Sequence, residues 1–162
     1  MREPELLAVV SRLPRKPRYI QDAPRTILEL ARLVKSLGEA ETLWRGRSAD
    51  DVKRQLKEIH GVGEGIASMV VILLETYRGV RFADRQRMNV KADVHVQRVL
   101  YRLGAARGRS ESEAISAAAA LNPEYPGALD QALWTIGQRW CHESAPDCLN
   151  CPMTDLCIRV GL

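Results

Sequence analysis

The four cysteines of this chain stand close together near its C-terminus, where they could hold a metal centre. They are the only cysteines among the 162 residues, and they follow the spacing C-x6-C-x2-C-x5-C, at Cys141, Cys148, Cys151 and Cys157. Four thiolates satisfy either a tetrahedral zinc ion or a 4Fe-4S cluster, because soft sulfur ligands suit both. The spacing favours the cluster, since zinc sites usually combine two short knuckles and only the middle pair is close here. Two disulfides are a third interpretation, which requires an oxidising compartment.

Composition and charge narrow the class of protein. An apolar fraction of 46% allows a real core, in one domain or two small lobes. The chain shows no secretory signal pattern and no apolar stretch that could span a membrane, so we expect a cytoplasmic monomer with no membrane partner. Its net charge is +4, and residues 78–109 hold nine basic side chains against two acidic ones. Such a stretch indicates a nucleic-acid partner, with a solvated basic face as the alternative.

The spacing of apolar residues predicts an all-α fold. Apolar side chains recur at three and four positions over residues 22–38 and again over residues 93–103, as they do on one face of a helix. Ser48 and Ser110 stand where a side chain can cap the start of a helix. Residues 66–74 are apolar almost all round, which predicts a buried central helix, with a β-strand as the alternative.

A glycine-rich turn between two predicted helices could bind phosphate. Residues 56–67 read LKEIHGVGEGIA, with glycines at positions 61, 63 and 65. Backbone N–H groups at the start of a helix can bind phosphate without reading base sequence, and glycine lets the backbone approach closely. An ordinary helix-helix turn is the alternative, because such connections often contain glycine.

The glycine turn, Asp93 about 30 residues later and the four cysteines come in an order and spacing that resemble the endonuclease III and adenine glycosylase branch of the helix-hairpin-helix DNA glycosylases. The resemblance covers roughly residues 19–162, and the cysteine spacing is its most specific part. It implies a helix-hairpin-helix glycosylase fold with a C-terminal loop whose cysteines hold a 4Fe-4S cluster. It also implies that the DNA contacts include Gly61, Val62, Gly63, Gly65 and Lys91.

The same resemblance implies base-excision repair, with Asp93 as the catalytic residue. The reaction is hydrolysis of the N-glycosidic bond of a damaged or mismatched base in double-stranded DNA. An ionised carboxylate can stabilise the oxocarbenium charge on the deoxyribose or help activate the nucleophile, once the base has left the stack. In the alternative interpretation, Asp93 only caps its helix.

Three features depart from the family pattern. Gly65 occupies the position of the lysine that forms a Schiff base in endonuclease III itself, so we expect a monofunctional glycosylase unless another amine, such as Lys91, substitutes. The first cysteine loop is acidic, which would repel phosphate. The segment before Asp22 shows no sign of the family's base-plugging segment; residues 15–19 are the one candidate substitute, with a basic linker as the favoured alternative.

The expected organisation has three segments. A basic segment spans residues 1–21, the helical glycosylase region with its hairpin spans residues 22–140, and the cluster loop and tail span residues 141–162. Two other functions remain as alternatives: a catalytically impaired iron-sulfur protein that binds DNA through its hairpin, and a small electron carrier. An electron carrier leaves the large helical body unexplained.

Overall fold

The computed structural model describes residues 2–162, and the regular secondary structure of this part of the chain is entirely helical. Three short 3-10 helices lie at Ala40–Leu43, Arg85–Arg87 and Pro126–Leu129. The longer elements are α1 (Glu3–Val10), α2 (Ala23–Leu37), α3 (Ala49–Leu56), α4 (Glu64–Arg78), α5 (Val94–Arg102), α6 (Glu111–Leu121) and α7 (Asp130–Arg139). The all-α prediction is confirmed. None of the helices within residues 2–162 is long and apolar enough to cross a membrane.

Helix α1 is an addition to the predicted elements. Pro4 lies in its first turn, where a missing backbone N–H costs nothing, and Glu3 and Glu5 complement the positive end of the helix dipole. The side chain of Glu5 accepts the backbone N–H of Arg2 at 2.9 Å. Leu6 and Val10 are its buried residues. The eight residues therefore form a helix through their end signals and through packing against α2.

The chain divides between Val71 and Ile72 into two compact units, and α4 continues across this boundary. In the first unit, α3 begins as predicted, because Ser48 Oγ accepts the backbone N–H of Asp51 at 3.1 Å. Helix α3 then buries Ala49, Val52 and Leu56. Helix α2 behaves differently, since Ile27 and Leu30 of its apolar stripe are 45% and 41% exposed. The first unit thus leaves apolar surface open along α2.

Residues 66–74 form part of helix α4, so the helical interpretation was right and the strand alternative was wrong. Ala67, Val71 and Ile72 are buried. Ile66 and Leu73 are 48% and 39% exposed, which contradicts the expectation of a helix buried on all sides. An apolar side chain on a surface is common, because a folded protein cannot cover all of its apolar atoms.

The core of the second unit lies between α5, α6 and α7. Val96, Val99 and Leu100 of α5 pack with alanines of α6 and with Leu133 of α7. At Gly137 a Cβ atom would lie 2.7 Å from His95 Cβ, so the helices approach at a point where only glycine fits. Residues in and around α5 contact residues in and around α7 in ascending order: Lys91 contacts Asp130, His95 contacts Gly137, and Arg98 contacts Cys141. The two helices therefore run in the same direction.

Candidate functional site

The hairpin between α3 and α4 is fixed by side chains of α2. Thr26 Oγ1 donates to the carbonyl of His60 at 2.8 Å, and the N–H of His60 donates to Glu29 Oε2 at 2.6 Å. Gly61 has a φ of 78°, and a Cβ there would lie 3.0 Å from Thr26 Oγ1. The turn therefore requires glycine for its conformation and for its close contact with α2. It leads directly into α4, whose first N–H groups have no partner within the helix and attract anions.

Glu64, the first residue of α4, counteracts this attraction. Its carboxylate lies 2.7 Å from Lys57 Nζ and 3.3 Å from Lys53 Nζ. The hydrogen bond from Lys57 lowers the pKa of Glu64, so Glu64 is ionised at neutral pH. A phosphate at the hairpin therefore has to compete with this carboxylate for the two lysines.

The predicted hairpin contacts differ in their exposure. Gly61 and Gly63 are exposed, whereas Val62 and Gly65 are half-buried. Gly63 also has open space where a side chain would stand. The backbone around these two glycines is the part of the hairpin that a ligand can reach most closely.

Asp93 is the N-cap of α5, as one of its two interpretations predicted. Its Oδ1 accepts the backbone N–H of His95 at 2.9 Å and that of Val96 at 3.1 Å. Both hydrogen bonds are accepted by Oδ1, so the capping interaction involves one side of the carboxylate. The side chain is held rigidly at the positive end of the α5 dipole. These capping hydrogen bonds do not involve the second oxygen, Oδ2.

Asp130 is a second carboxylate in this region, and sequence reasoning missed it. It is the first residue of α7, and its Oδ1 accepts the backbone N–H of Lys91 at 2.5 Å. The carbonyl of Lys91 in turn accepts the N–H of Asp93 at 2.7 Å. Burial raises the pKa of Asp130 above its ordinary value; the bond from Lys91 opposes this shift and the charge of Asp93 adds to it. The one signal in the sequence was an aspartate at a helix start, which is a common feature.

The four cysteines line one cavity of the second unit. The cavity has a volume of about 30 Å³ within a hollow of about 310 Å³, and Arg102 and Trp140 also line it. All four are free thiols and half-buried. Within residues 2–162, no group of three or more His, Cys, Asp or Glu residues is arranged so that it could hold a metal ion. The four thiols thus share one cavity.

Sulfur donors and a buried guanidinium surround this cavity. Arg102 Nη1 lies 3.4 Å from Cys141 Sγ, and the Cys157 thiol donates to the carbonyl of Arg102 at 3.3 Å. Burial raises the pKa of the Cys151 thiol; a hydrogen bond from the backbone of Met153 opposes this shift, and the charges of the other three cysteines add to it. Four soft donors beside a buried guanidinium fit a cluster bound by four thiolates.

The first cysteine loop is fastened to α5 by two buried arginines. Arg98 Nε donates to the carbonyl of Cys141 at 2.6 Å, and its Nη2 donates to the carbonyl of Gly137 at 2.9 Å. Arg102 donates to the carbonyls of His142 and Glu143 at 2.5 and 2.8 Å. The relative exposures of Arg98 and Arg102 are 4% and 5%, so both guanidinium groups act as internal clamps.

Glu143, an acidic residue of this loop, is paired within the protein. Its two carboxylate oxygens lie 2.7 and 2.6 Å from the guanidinium of Arg109, and Arg98 lies 3.4 Å away. The hydrogen bonds from Arg109 lower the pKa of Glu143 to about 2. The loop therefore repels phosphate less than its sequence charge suggests.

The basic stretch over residues 78–109 is also partly engaged within the protein. Arg81 and Arg85 lie 3.3 and 2.8 Å from the buried carboxylate of Glu75. Three further arginines of the stretch contact the first cysteine loop or Glu143, namely Arg98, Arg102 and Arg109. The sequence count thus overstates the charge available to a nucleic acid.

The predicted site residues fall into both units. The hairpin belongs to the first unit, while Lys91, Asp93 and the four cysteines belong to the second. Comparison of the chain with known protein families, with curated proteins and with solved structures finds no match.

Proposed function

We propose that this chain is a monofunctional DNA glycosylase of the helix-hairpin-helix, iron-sulfur type. Its reaction is hydrolysis of the N-glycosidic bond of a damaged or mismatched base in double-stranded DNA. The observation that carries the proposal is the arrangement along α5. Asp93 begins this helix with one carboxylate oxygen fixed, and Arg98 and Arg102 clamp the loop that contains Cys141.

In this proposal Asp93 acts on the sugar of the extruded nucleotide. Bond cleavage places positive charge on the deoxyribose, and the carboxylate stabilises that charge or accepts a proton from the attacking water. Oδ1 is held by two backbone N–H groups, which leaves Oδ2 to carry the chemistry. Asp130 holds the backbone N–H of Lys91, two residues before Asp93, and so limits movement of the segment.

The hairpin binds the DNA backbone in this proposal. Its support is the glycine turn, which α2 holds at His60, together with the N–H groups at the start of α4. Gly65 carries no amine, so the reaction stops at the abasic site without strand cleavage.

The cysteines hold a 4Fe-4S cluster in this proposal. Cys141, Cys148, Cys151 and Cys157 would be its ligands, and their bonds to iron would cross-link residues 141–157. Arg102 then donates to a ligand sulfur and to the carbonyls beside it. The cysteine loop thereby becomes a rigid support for the end of α5.

The experiment is single-turnover base release by the wild type and Asp93→Asn. Duplexes containing uracil, mismatched thymine, mismatched adenine or an oxidised pyrimidine are incubated with each protein, and strand breaks are scored with and without alkali. Asparagine caps helices about as well as aspartate, so the melting temperature should stay close to that of the wild type. Release should fall by about 10²-fold or more if the carboxylate is catalytic. Breaks should appear only after alkali.

Ser110→Asn is the matched control, because it exchanges the N-cap of α6, another helix of the second unit. It should release base at the wild-type rate. Release by Asp93→Asn at that same rate would remove Asp93 from the mechanism. No release from any duplex by the wild type would instead favour a catalytically impaired protein that binds DNA through its hairpin.

A further inference from the structure

The first unit contains an open cavity that the proposed chemistry does not use. Its volume is about 690 Å³, within the range of binding pockets for small organic ligands. Leu13, Ile27 and Ile66 line it and are 45%, 45% and 48% exposed. Gly61 of the hairpin lines the same cavity. A large apolar floor is thus open beside the turn that is proposed to bind phosphate.

The lining of this cavity also includes three cationic side chains. Arg15, Lys16 and Arg18 line it together. The acidic lining residue is Asp22, whose Oδ1 lies 3.2 Å from His60 Nε2. A lining that combines three cations with apolar side chains complements a ligand that combines negative charges with apolar planar groups.

Tyr19 supplies an aromatic face in the same cavity. Its side chain is 66% exposed, and the guanidinium carbon of Arg18 lies 5.5 Å from its ring centroid. Nucleic-acid bases stack on exposed aromatic rings in sites for single strands, while basic side chains follow the phosphates. Paired bases are stacked within a duplex and cannot place their faces on such a ring.

We propose that this cavity binds unpaired nucleotides of a DNA strand that continues beyond a duplex. A base stacks on Tyr19 above the apolar floor, and its neighbouring phosphates lie against Arg15, Lys16 and Arg18. The inference takes one point from the proposed function, namely that the protein binds DNA. It predicts that the protein prefers DNA with a single-stranded stretch beside the duplex over a blunt duplex.

The test is fluorescence anisotropy with two lesion-free DNAs. One is a blunt duplex, and the other is the same duplex with a single-stranded extension of about six nucleotides, a length within the usual range of single-strand sites. The wild type should bind the extended DNA about tenfold more tightly, as expected for one or two stacked bases. Tyr19→Leu should lose most of this preference and keep its affinity for the blunt duplex. Tyr19→Phe should retain the preference.

Tyr77→Leu is the matched control, because Tyr77 is 68% exposed and lies outside the cavity lining. It should keep the full preference. Circular dichroism melts of each variant identify any loss of fold. Equal wild-type affinity for the two DNAs would overturn the inference, and so would a preference that survives Tyr19→Leu. Retained preference without base release would refute the glycosylase proposal alone, whereas base release without the preference would refute only this inference.

Discussion

The backbone of Lys91 connects two aspartates of the second unit. Its N–H donates to Asp130 Oδ1 at 2.5 Å, and its carbonyl accepts the N–H of Asp93 at 2.7 Å. Each aspartate also stands at a helix start, Asp93 as the N-cap of α5 and Asp130 as the first residue of α7. A substitution at Asp130 should therefore affect the position of Asp93 through the backbone of Lys91.

Asp130→Asn tests the charge of this second carboxylate. Burial raises the folded-state pKa of Asp130 above its unfolded value. Its contribution to stability is therefore fully present below the unfolded pKa of about 4 and is lost as the pH rises through the folded pKa. Asparagine stays neutral and still offers Oδ1 to Lys91, so the variant should lose less stability between pH 4 and pH 7. Urea unfolding across this range measures the difference.

Asp130→Ala is the companion variant, because it also removes the acceptor for Lys91. Leaving that N–H without its partner should cost about 1–3 kcal/mol of unfolding free energy at every pH. If Asp130→Asn is less stable than the wild type at pH 7, the charge of Asp130 stabilises the fold and the argument from its burial is wrong.

Three of the predicted helix caps, whose partners are near in sequence, were correct, whereas Asp22 makes no side-chain capping bond to α2. Ser48, Asp93 and Ser110 each accept an N–H two or three residues further on, and the sequence alone identified all three positions. The partner of Asp130 is 39 residues away, and that of Glu143 is 34 residues away. Such pairs depend on how helices cross, which apolar spacing does not specify.

At the scale of elements, the α3–α4 hairpin combines attraction and repulsion for phosphate. The N–H groups at the start of α4 attract it, while Glu64 repels it and pairs with Lys53 and Lys57. A protein that binds DNA through this turn has to separate those ion pairs. The electrostatic balance of the hairpin therefore limits its affinity.

Glu64→Gln should release Lys57 and strengthen binding, while Lys53 keeps its ion pair with Asp50 at 3.1 Å. The affinity for duplex DNA should rise about threefold to tenfold at low salt, and the dependence of log K on log salt should steepen by about one phosphate contact. Anisotropy titrations at several salt concentrations measure both quantities. Glu111→Gln is the control, because it neutralises an exposed glutamate in the first turn of α6 and changes the net charge equally. An unchanged salt slope for Glu64→Gln would show that the DNA does not contact Lys57.

The positions of the helices could be predicted from the sequence better than the burial of their side chains. Apolar spacing correctly indicated helices over α2 and α4, but Ile27 and Ile66 are 45% and 48% exposed. Periodicity shows which side chains share a face of a helix, while burial depends on what packs against that face. The cavity with the three cationic side chains could not be predicted for the same reason, because it requires Leu13, Ile27 and Ile66 to meet in space.

For the whole molecule, the division into two units separates the proposed cluster from the proposed phosphate site. All four cysteines and both clamping arginines belong to residues 72–162, and the hairpin belongs to residues 1–71. A cross-link within the cysteine loop should therefore stabilise the second unit far more than the first. Stability should differ along the chain according to which unit a residue belongs to.

Removal of the cluster tests this expectation. Protein prepared with iron and sulfide should show visible absorption and contain both elements. Cross-linking a loop of this length is worth about 3 kcal/mol, so chelation or Cys151→Ser should weaken the hydrogen-exchange protection of α5 and α7 by that order. Protection at the α3–α4 hairpin should change little. Hydrogen exchange with mass spectrometry, on loaded and depleted protein, measures both regions in one experiment.

Met153→Leu is the control for that experiment, because it alters the same loop without removing a sulfur ligand of the proposed cluster. It should keep iron, sulfide and the protection of α5. Stoichiometric zinc without sulfide in the purified protein would contradict the cluster, since a single ion would then satisfy the four thiols. If removal of the cluster lowered hydrogen-exchange protection equally in both units, the expectation that the cluster stabilises mainly residues 72–162 would be wrong. Loss confined to α5, α7 and the cysteine loop would identify the cluster as the cross-link that fixes the helix beginning at Asp93.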